Sequence, residues 1–156
     1  SGRGERVESF EGRTDFSVLV LFPGFAISTA QAYAAVDESR GATASRSPIA
    51  GRQGVSAEWL RREYGKSPEL WRFRNDFQEA LAPKNPEFGQ AYTALVEAGS
   101  DYASLTGSGS AFFGVFRSAA AAREAARTLN ALRGGLDRWF SVVAAPLACM
   151  PSPRLE

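Results

Sequence analysis

Thr106-Gly107-Ser108-Gly109-Ser110 is the stretch whose residue types and spacing could do chemistry. Glycines at alternate positions permit positive φ and let backbone N–H groups approach an anion, while the serine hydroxyls can donate to oxygen. That combination suits a phosphate. It equally suits a tight connection between two strands, the commoner use of a short Gly-Ser turn. No Gly-Lys-Ser/Thr follows, so the segment is not a P-loop and is not expected to hold a triphosphate unaided. A second candidate is Phe22-Pro23-Gly24-Phe25-Ala26-Ile27-Ser28-Thr29, which places hydroxyls at a strand-to-helix junction, where a helix start offers free N–H groups to a ligand. Ser28 reads as the helix cap. A cap needs only one hydroxyl, which leaves Thr29 for a ligand.

Other chemistry is excluded by composition. The 156 residues contain no histidine, which removes His-ligated metals, Ser-His-Asp and Cys-His catalysis. No metal site is expected. The single cysteine, Cys149, cannot form an intrachain disulfide, which fits a cytoplasmic protein. Eighteen Lys plus Arg against 17 Asp plus Glu give a net charge of +1, no field for gripping nucleic acid or an acidic membrane. Neither is an expected partner, and no apolar run reaches the roughly 18 residues of a membrane span. Arg61, Arg62, Arg72 and Arg74 cluster, and guanidinium groups suit phosphates, but acids interleave with them and a solvated face is the simpler reading. Asp76 has no partner carboxylate at a recognisable spacing, so no catalytic base is assigned.

The elements that must position these residues follow from pattern. Residues 16–22, FSVLVLF, read as a strand covered on both faces. Ser28 and Gln31 form a capping box for a helix to about Glu38. Residues 39–55, rich in Gly, Ser, Ala and Arg, read as a mobile loop. Ser56 starts a short helix to about Tyr64, stopped by Gly65. Residues 69–81 read as helix, with Trp59, Trp71, Phe73 and Phe77 as core. Asn85-Pro86 reads as a cap and first helical residue. Behind it Phe88, Ala91, Tyr92, Leu95 and Val96 form one buried face. Two strands lie within 102–116, an alanine-rich helix runs from Ser118 to about Leu132, ended by Gly134-Gly135, and a last strand spans 139–145. This order predicts an α+β fold, a ferredoxin-like split βαβ sandwich with a helical insertion, the 39–81 stretch supplying loop and insertion.

Taken together, GRGE at 2–5, FPGFAISTAQAY at 22–33, RND at 74–76 and LTGSGSAFFGVF at 105–116 resemble the C-terminal domain of the GHMP-superfamily small-molecule kinases. The resemblance covers nearly the whole chain and is strongest at LTGSGSAFF. Within the superfamily it is greatest to the branch that phosphorylates the 2-hydroxyl of 4-diphosphocytidyl-2-C-methylerythritol in non-mevalonate isoprenoid synthesis. What the resemblance implies is ATP-dependent phosphoryl transfer with Mg²⁺. Gly107, Ser108, Gly109 and Ser110 would back the phosphate loop and border nucleotide and substrate as cofactor-binding residues, Thr29 would face the substrate, and Asn75-Asp76 would be chiefly structural.

The family's phosphate loop, catalytic lysine and catalytic aspartate lie in an N-terminal domain. That domain is the expected partner, and this chain, which starts at Ser1 and closes on Leu155-Glu156, is expected to be a fragment, inactive alone, without tightly bound cofactor, and able to form a homodimer. The 39–55 stretch has no counterpart in the family pattern, and Ser110-Ala111-Phe112 departs from it. Homoserine or mevalonate as acceptor, and a stand-alone ferredoxin-like binding module without catalysis, remain the alternatives.

Overall fold

The computed structural model describes residues 10–43, 56–131 and 139–147. Strand β1 (Ser17–Phe22) leads to helix α1 (Thr29–Thr43), followed by α2 (Ala57–Tyr64), α3 (Asp76–Leu81) and α4 (Pro86–Glu97). Strands β2 (Tyr102–Leu105) and β3 (Phe112–Phe116), helix α5 (Ala119–Ala131) and strand β4 (Phe140–Ala144) complete the order. All strand pairs are antiparallel, and the sheet runs β2-β3-β1-β4. This is the split βαβ arrangement: α4 connects β1 to β2 with β3 between them, and α5 connects β3 to β4 with β1 between them.

Alternation sorts the side chains. Leu19 and Leu21 of β1 lie opposite Gly114 and Phe112 of β3 and opposite Val143 and Ser141 of β4. This face carries α5 on β1 and β4, and α4 on β2 and β3. Phe88, Leu95, Ala122, Ala125 and Leu129 close the core between sheet and helices. Burying each large side chain there is worth roughly 1.5–3 kcal/mol. The predicted alanine-rich helix forms, its start satisfied by Ser118 Oγ, which accepts from Ala121 N at 3.1 Å.

The second face is covered over only part of its width. Phe16, Tyr64, Trp71, Phe73, Tyr102 and Phe113 form a chain of ring contacts, with Tyr64 stacked on Trp71 at 5.6 Å. Arg13 ties this cluster together, its guanidinium 5.6–6.0 Å from the Phe16, Tyr64 and Trp71 rings while donating to Tyr64 O at 2.7 Å. Further along, Phe22, Phe140 and Val142 are 43%, 56% and 42% exposed. The expectation that 16–22 would be covered on both faces is therefore corrected among the described residues: the insertion's aromatics reach β2, β3 and the start of β1, and no further. Trp59, Trp71, Phe73 and Phe77 are half-buried rather than deep core.

Four details differ from expectation. Helix α1 continues to Thr43, so the predicted loop does not begin at Ser39; its remainder, 44–55, lies outside the described residues, as do GRGE, Gly134-Gly135 and Cys149. The predicted 69–81 helix is broken: Pro68–Leu70 is a 3-10 turn, the chain is extended at Trp71 and Asn75, and α3 starts only at Asp76. Tyr92 and Val96 are 39% and 45% exposed, so the buried face of α4 is narrowed to Phe88, Ala91 and Leu95. Asn85 stands at the N-cap position of α4 and Pro86 at its first residue, as expected, but the Asn85 side chain makes no capping bond; its amide donates back to Leu81 O at 2.9 Å.

Candidate functional site: a glycine loop against a helix start

The loop 106–111 joins β2 to β3. Thr106 N–H donates to Ala111 O at 2.9 Å and Gly109 N–H to Thr106 O at 3.1 Å, closing the turn on itself. Gly107 and Gly109 have φ of +57° and +94°, values that L side chains adopt only at a cost. Gly109 is also crowded: a Cβ there would lie 3.2 Å from Leu105 Cδ1 and 3.4 Å from Phe88 Cζ. Phe88 in turn packs edge-on against Phe112 at 5.3 Å, so the loop rests directly on the core. Among the described residues no hydrogen bond takes up the N–H groups of Gly107, Ser108 or Ser110. Gly109 N–H is spent inside the turn and is not free for an anion.

The capping box forms as predicted. Ser28 Oγ accepts from Gln31 N and Gln31 Oε1 accepts from Ser28 N, both at 3.1 Å. With the cap supplied by Ser28, Thr29 is released to face the loop, and its Oγ1 lies 3.4 Å from Ser108 Oγ. Ser110 Oγ donates to Phe25 O. Two hydroxyl contacts thus join the glycine loop to the 25–29 junction, although Thr29 and Ser108 are 79 positions apart. The five predicted positions, Thr29, Gly107, Ser108, Gly109 and Ser110, share one locality. Thr29 and Gly107 are exposed, and Ser108, Gly109 and Ser110 are half-buried.

What pattern reading missed is the third wall. The Asn75 amide donates to Leu105 O and Gly107 O, both at 2.9 Å, and Gln78 Oε1 accepts from Leu105 N at 2.7 Å. The signal available was the break in helical pattern at Asn75-Asp76. Two of the clustered arginines are engaged by acids: Arg72 donates to Glu63, and Arg74 donates to Glu79 at 2.6 Å. Glu63 is buried yet charged, held down to about 2 by hydrogen bonds first from Arg72 and then from Lys66. Its role is to fasten the insertion, its Oε1 accepting from Arg72 N at 2.8 Å.

Free N–H groups, hydroxyls and a helix start fit phosphate oxygens. They do not fit a metal on their own, since no group of three or more His, Cys, Asp or Glu gathers among the described residues. No helix of the described residues is long and apolar enough to cross a membrane.

Residues 57–133 match the family model described as GHMP kinases C terminal. The 4-diphosphocytidyl-2-C-methyl-D-erythritol kinase of Prosthecochloris aestuarii is 37% identical over 131 residues, covering 84% of this chain and 43% of the relative. The chain carries a GHMP kinase C-terminal domain. The kinase of the same name from Chlorobium luteolum is 34% identical over 126 residues, covering 80% of this chain and 41% of the relative. The chain therefore spans a little under half the length of these relatives. The crystal structure of homoserine kinase from Cytophaga hutchinsonii superposes with a TM-score of 0.56 at 16% identity, over 92% of this chain and 45% of that one. That likeness bears on the GHMP domain's α+β fold alone.

Proposed function

We propose that this domain is the substrate-side half of an ATP-dependent kinase that transfers the γ-phosphoryl group to the 2-hydroxyl of 4-diphosphocytidyl-2-C-methyl-D-erythritol. The observation that carries this reading is the glycine loop meeting the start of α1 through Ser108 and Thr29, in a chain whose curated relatives bear that kinase's name. Phosphoryl transfer asks mainly for positioning and charge neutralisation. On this reading the N–H groups of Gly107, Ser108 and Ser110 border phosphate oxygens. Gly109 sets the turn that presents them, and Thr29 orients the acceptor alcohol. ATP and Mg²⁺ belong to the longer enzyme; the metal ligands, the base and the principal phosphate loop come from a further domain. The 156 residues alone are expected to give no turnover.

The test is a chimera in which this domain replaces the matched segment of the Prosthecochloris aestuarii kinase. ATP-dependent phosphorylation of 4-diphosphocytidyl-2-C-methyl-D-erythritol is the expected result. Preference for homoserine or mevalonate would overturn the substrate. No turnover by a folded chimera, with the parent enzyme active in parallel, would overturn the reading altogether.

A further inference from the structure

The glycine loop is held at this third wall by one side chain whose every hydrogen-bonding capacity is engaged. Asn75 Oδ1 accepts from Phe77 N at 2.9 Å and Gln78 N at 3.3 Å, capping α3. Asn75 Nδ2 donates its two protons to Leu105 O and Gly107 O, each at 2.9 Å. One half of the amide therefore belongs to the insertion and the other half to the loop.

Peptide planarity gives this clamp a direction. The C=O of one residue and the N–H of the next lie on opposite sides of a trans peptide plane. Drawing Leu105 O toward Asn75 turns Thr106 N–H away from it, into the bond with Ala111 O. Drawing Gly107 O toward Asn75 likewise turns Ser108 N–H to the far side of the loop, where no backbone acceptor takes it. Gly107, with positive φ and nothing within 4 Å of a built Cβ, has the freedom to let that plane rotate if the grip is lost.

We infer that Asn75 is a positioning residue: its amide sets the Gly107–Ser108 peptide plane and so aims the Ser108 N–H at the bound anion. The functional half of this inference rests on the kinase reading above. The clamp itself does not. Aspartate is the informative substitution, because it keeps the shape and the two cap acceptors but offers no donor and faces two carbonyl oxygens instead. Serine keeps a cap hydroxyl and is too short to reach both carbonyls.

Amide hydrogen exchange on the 156-residue chain tests the clamp. In Asn75→Asp, exchange at Thr106 and Gly109 is expected to rise at least about tenfold, while Phe77, Gln78 and the interior of α5 stay protected. If Asn75→Asp does not fold, Asn75→Ser is read in the same way. Unchanged loop protection would overturn the inference, and so would a uniform rise across the chain, which would mark Asn75 as a general stabiliser. In the active chimera the KM for ATP is expected to rise about tenfold, the effect of one lost charge-assisted hydrogen bond, with the KM for the alcohol unchanged. Loss of folded enzyme lowers the rate but leaves KM unmoved, so an unchanged KM for ATP would also overturn positioning. An inactive parent chimera would instead refute the kinase reading, and the exchange comparison would still decide the clamp.

Discussion

Replacing Gly109 by alanine tests whether the loop is built on this glycine for two separate reasons. The first is conformational: φ is +94°, and holding an L side chain at positive φ costs roughly 1–2 kcal/mol. The second is steric, because the new methyl would meet Leu105 Cδ1 at 3.2 Å and Phe88 Cζ at 3.4 Å. Both neighbours are almost wholly buried and cannot swing aside. Overpacking of that kind costs about 1–3 kcal/mol. Stiffening of the unfolded chain returns about 0.4–1 kcal/mol, leaving a net loss of about 2–4 kcal/mol. For a domain of this size each 1 kcal/mol moves Tm by about 2–4 °C, so a fall of about 5–15 °C is expected. Gly107→Ala is the matched control: its φ is also positive, but nothing lies within 4 Å of the added atom, and about 1 kcal/mol or less is expected. Urea unfolding followed by tryptophan fluorescence gives both values on one protein preparation. If the two alanine variants lose the same stability to within about 0.5 kcal/mol, the steric half of the reasoning is wrong. If Gly109→Ala loses nothing, both halves are.

Two further expectations concern the elements around the site. Glu63 titrates near 2 in the folded chain, below its ordinary value of 4.5, so its contribution is complete above about pH 4.5 and drains away as pH falls toward 2. The Tm difference between the native chain and Glu63→Gln should therefore shrink across that window, and a difference that is constant from pH 6 to pH 2.5 would contradict it. Ser28→Ala removes the acceptor for Gln31 N and should cost about 1 kcal/mol, with faster amide exchange concentrated at Gln31; unchanged exchange there would mean that the capping box contributes nothing.

Local chemistry was legible in the sequence; tertiary demand was not. The Ser28–Gln31 box, the Ser56 and Ser118 caps and the hairpin strands were readable because each depends on residues a few positions apart. The 69–81 stretch misled for the opposite reason. Its aromatic spacing suits a helix, but the Asn75 amide is claimed by carbonyls 30 and 32 positions away, and Trp71 is drawn into the rings of Phe16, Tyr64 and Tyr102. Glu63 is one of the acids interleaved with the arginines, and nothing nearby in sequence marks it for burial. The candidate site was visible only in halves. Residue types suggested an anion loop at 106–110 and a ligand-facing Thr29, and the element order suggested the split βαβ sheet; the meeting of the two segments across 79 positions needs the packed structure and shows in no local pattern.

The register of the hairpin sets the terms on which the loop can diversify. Leu105 pairs with Phe112, and from that pair onward the strand's side chains alternate between the helix-covered face and the half-open one. Deleting a single loop residue would put Phe113 where Phe112 now sits, and adding one would put Ala111 there; either turns every following side chain of β3 to the wrong side of the sheet. Apart from Gly109, loop residues are thus open to exchange in related domains, but a change of loop length is tolerable only in steps of two or with a bulge to absorb it. A ligand preference encoded at this loop must then be written in residue identity, with the length of the text held constant by the core beneath.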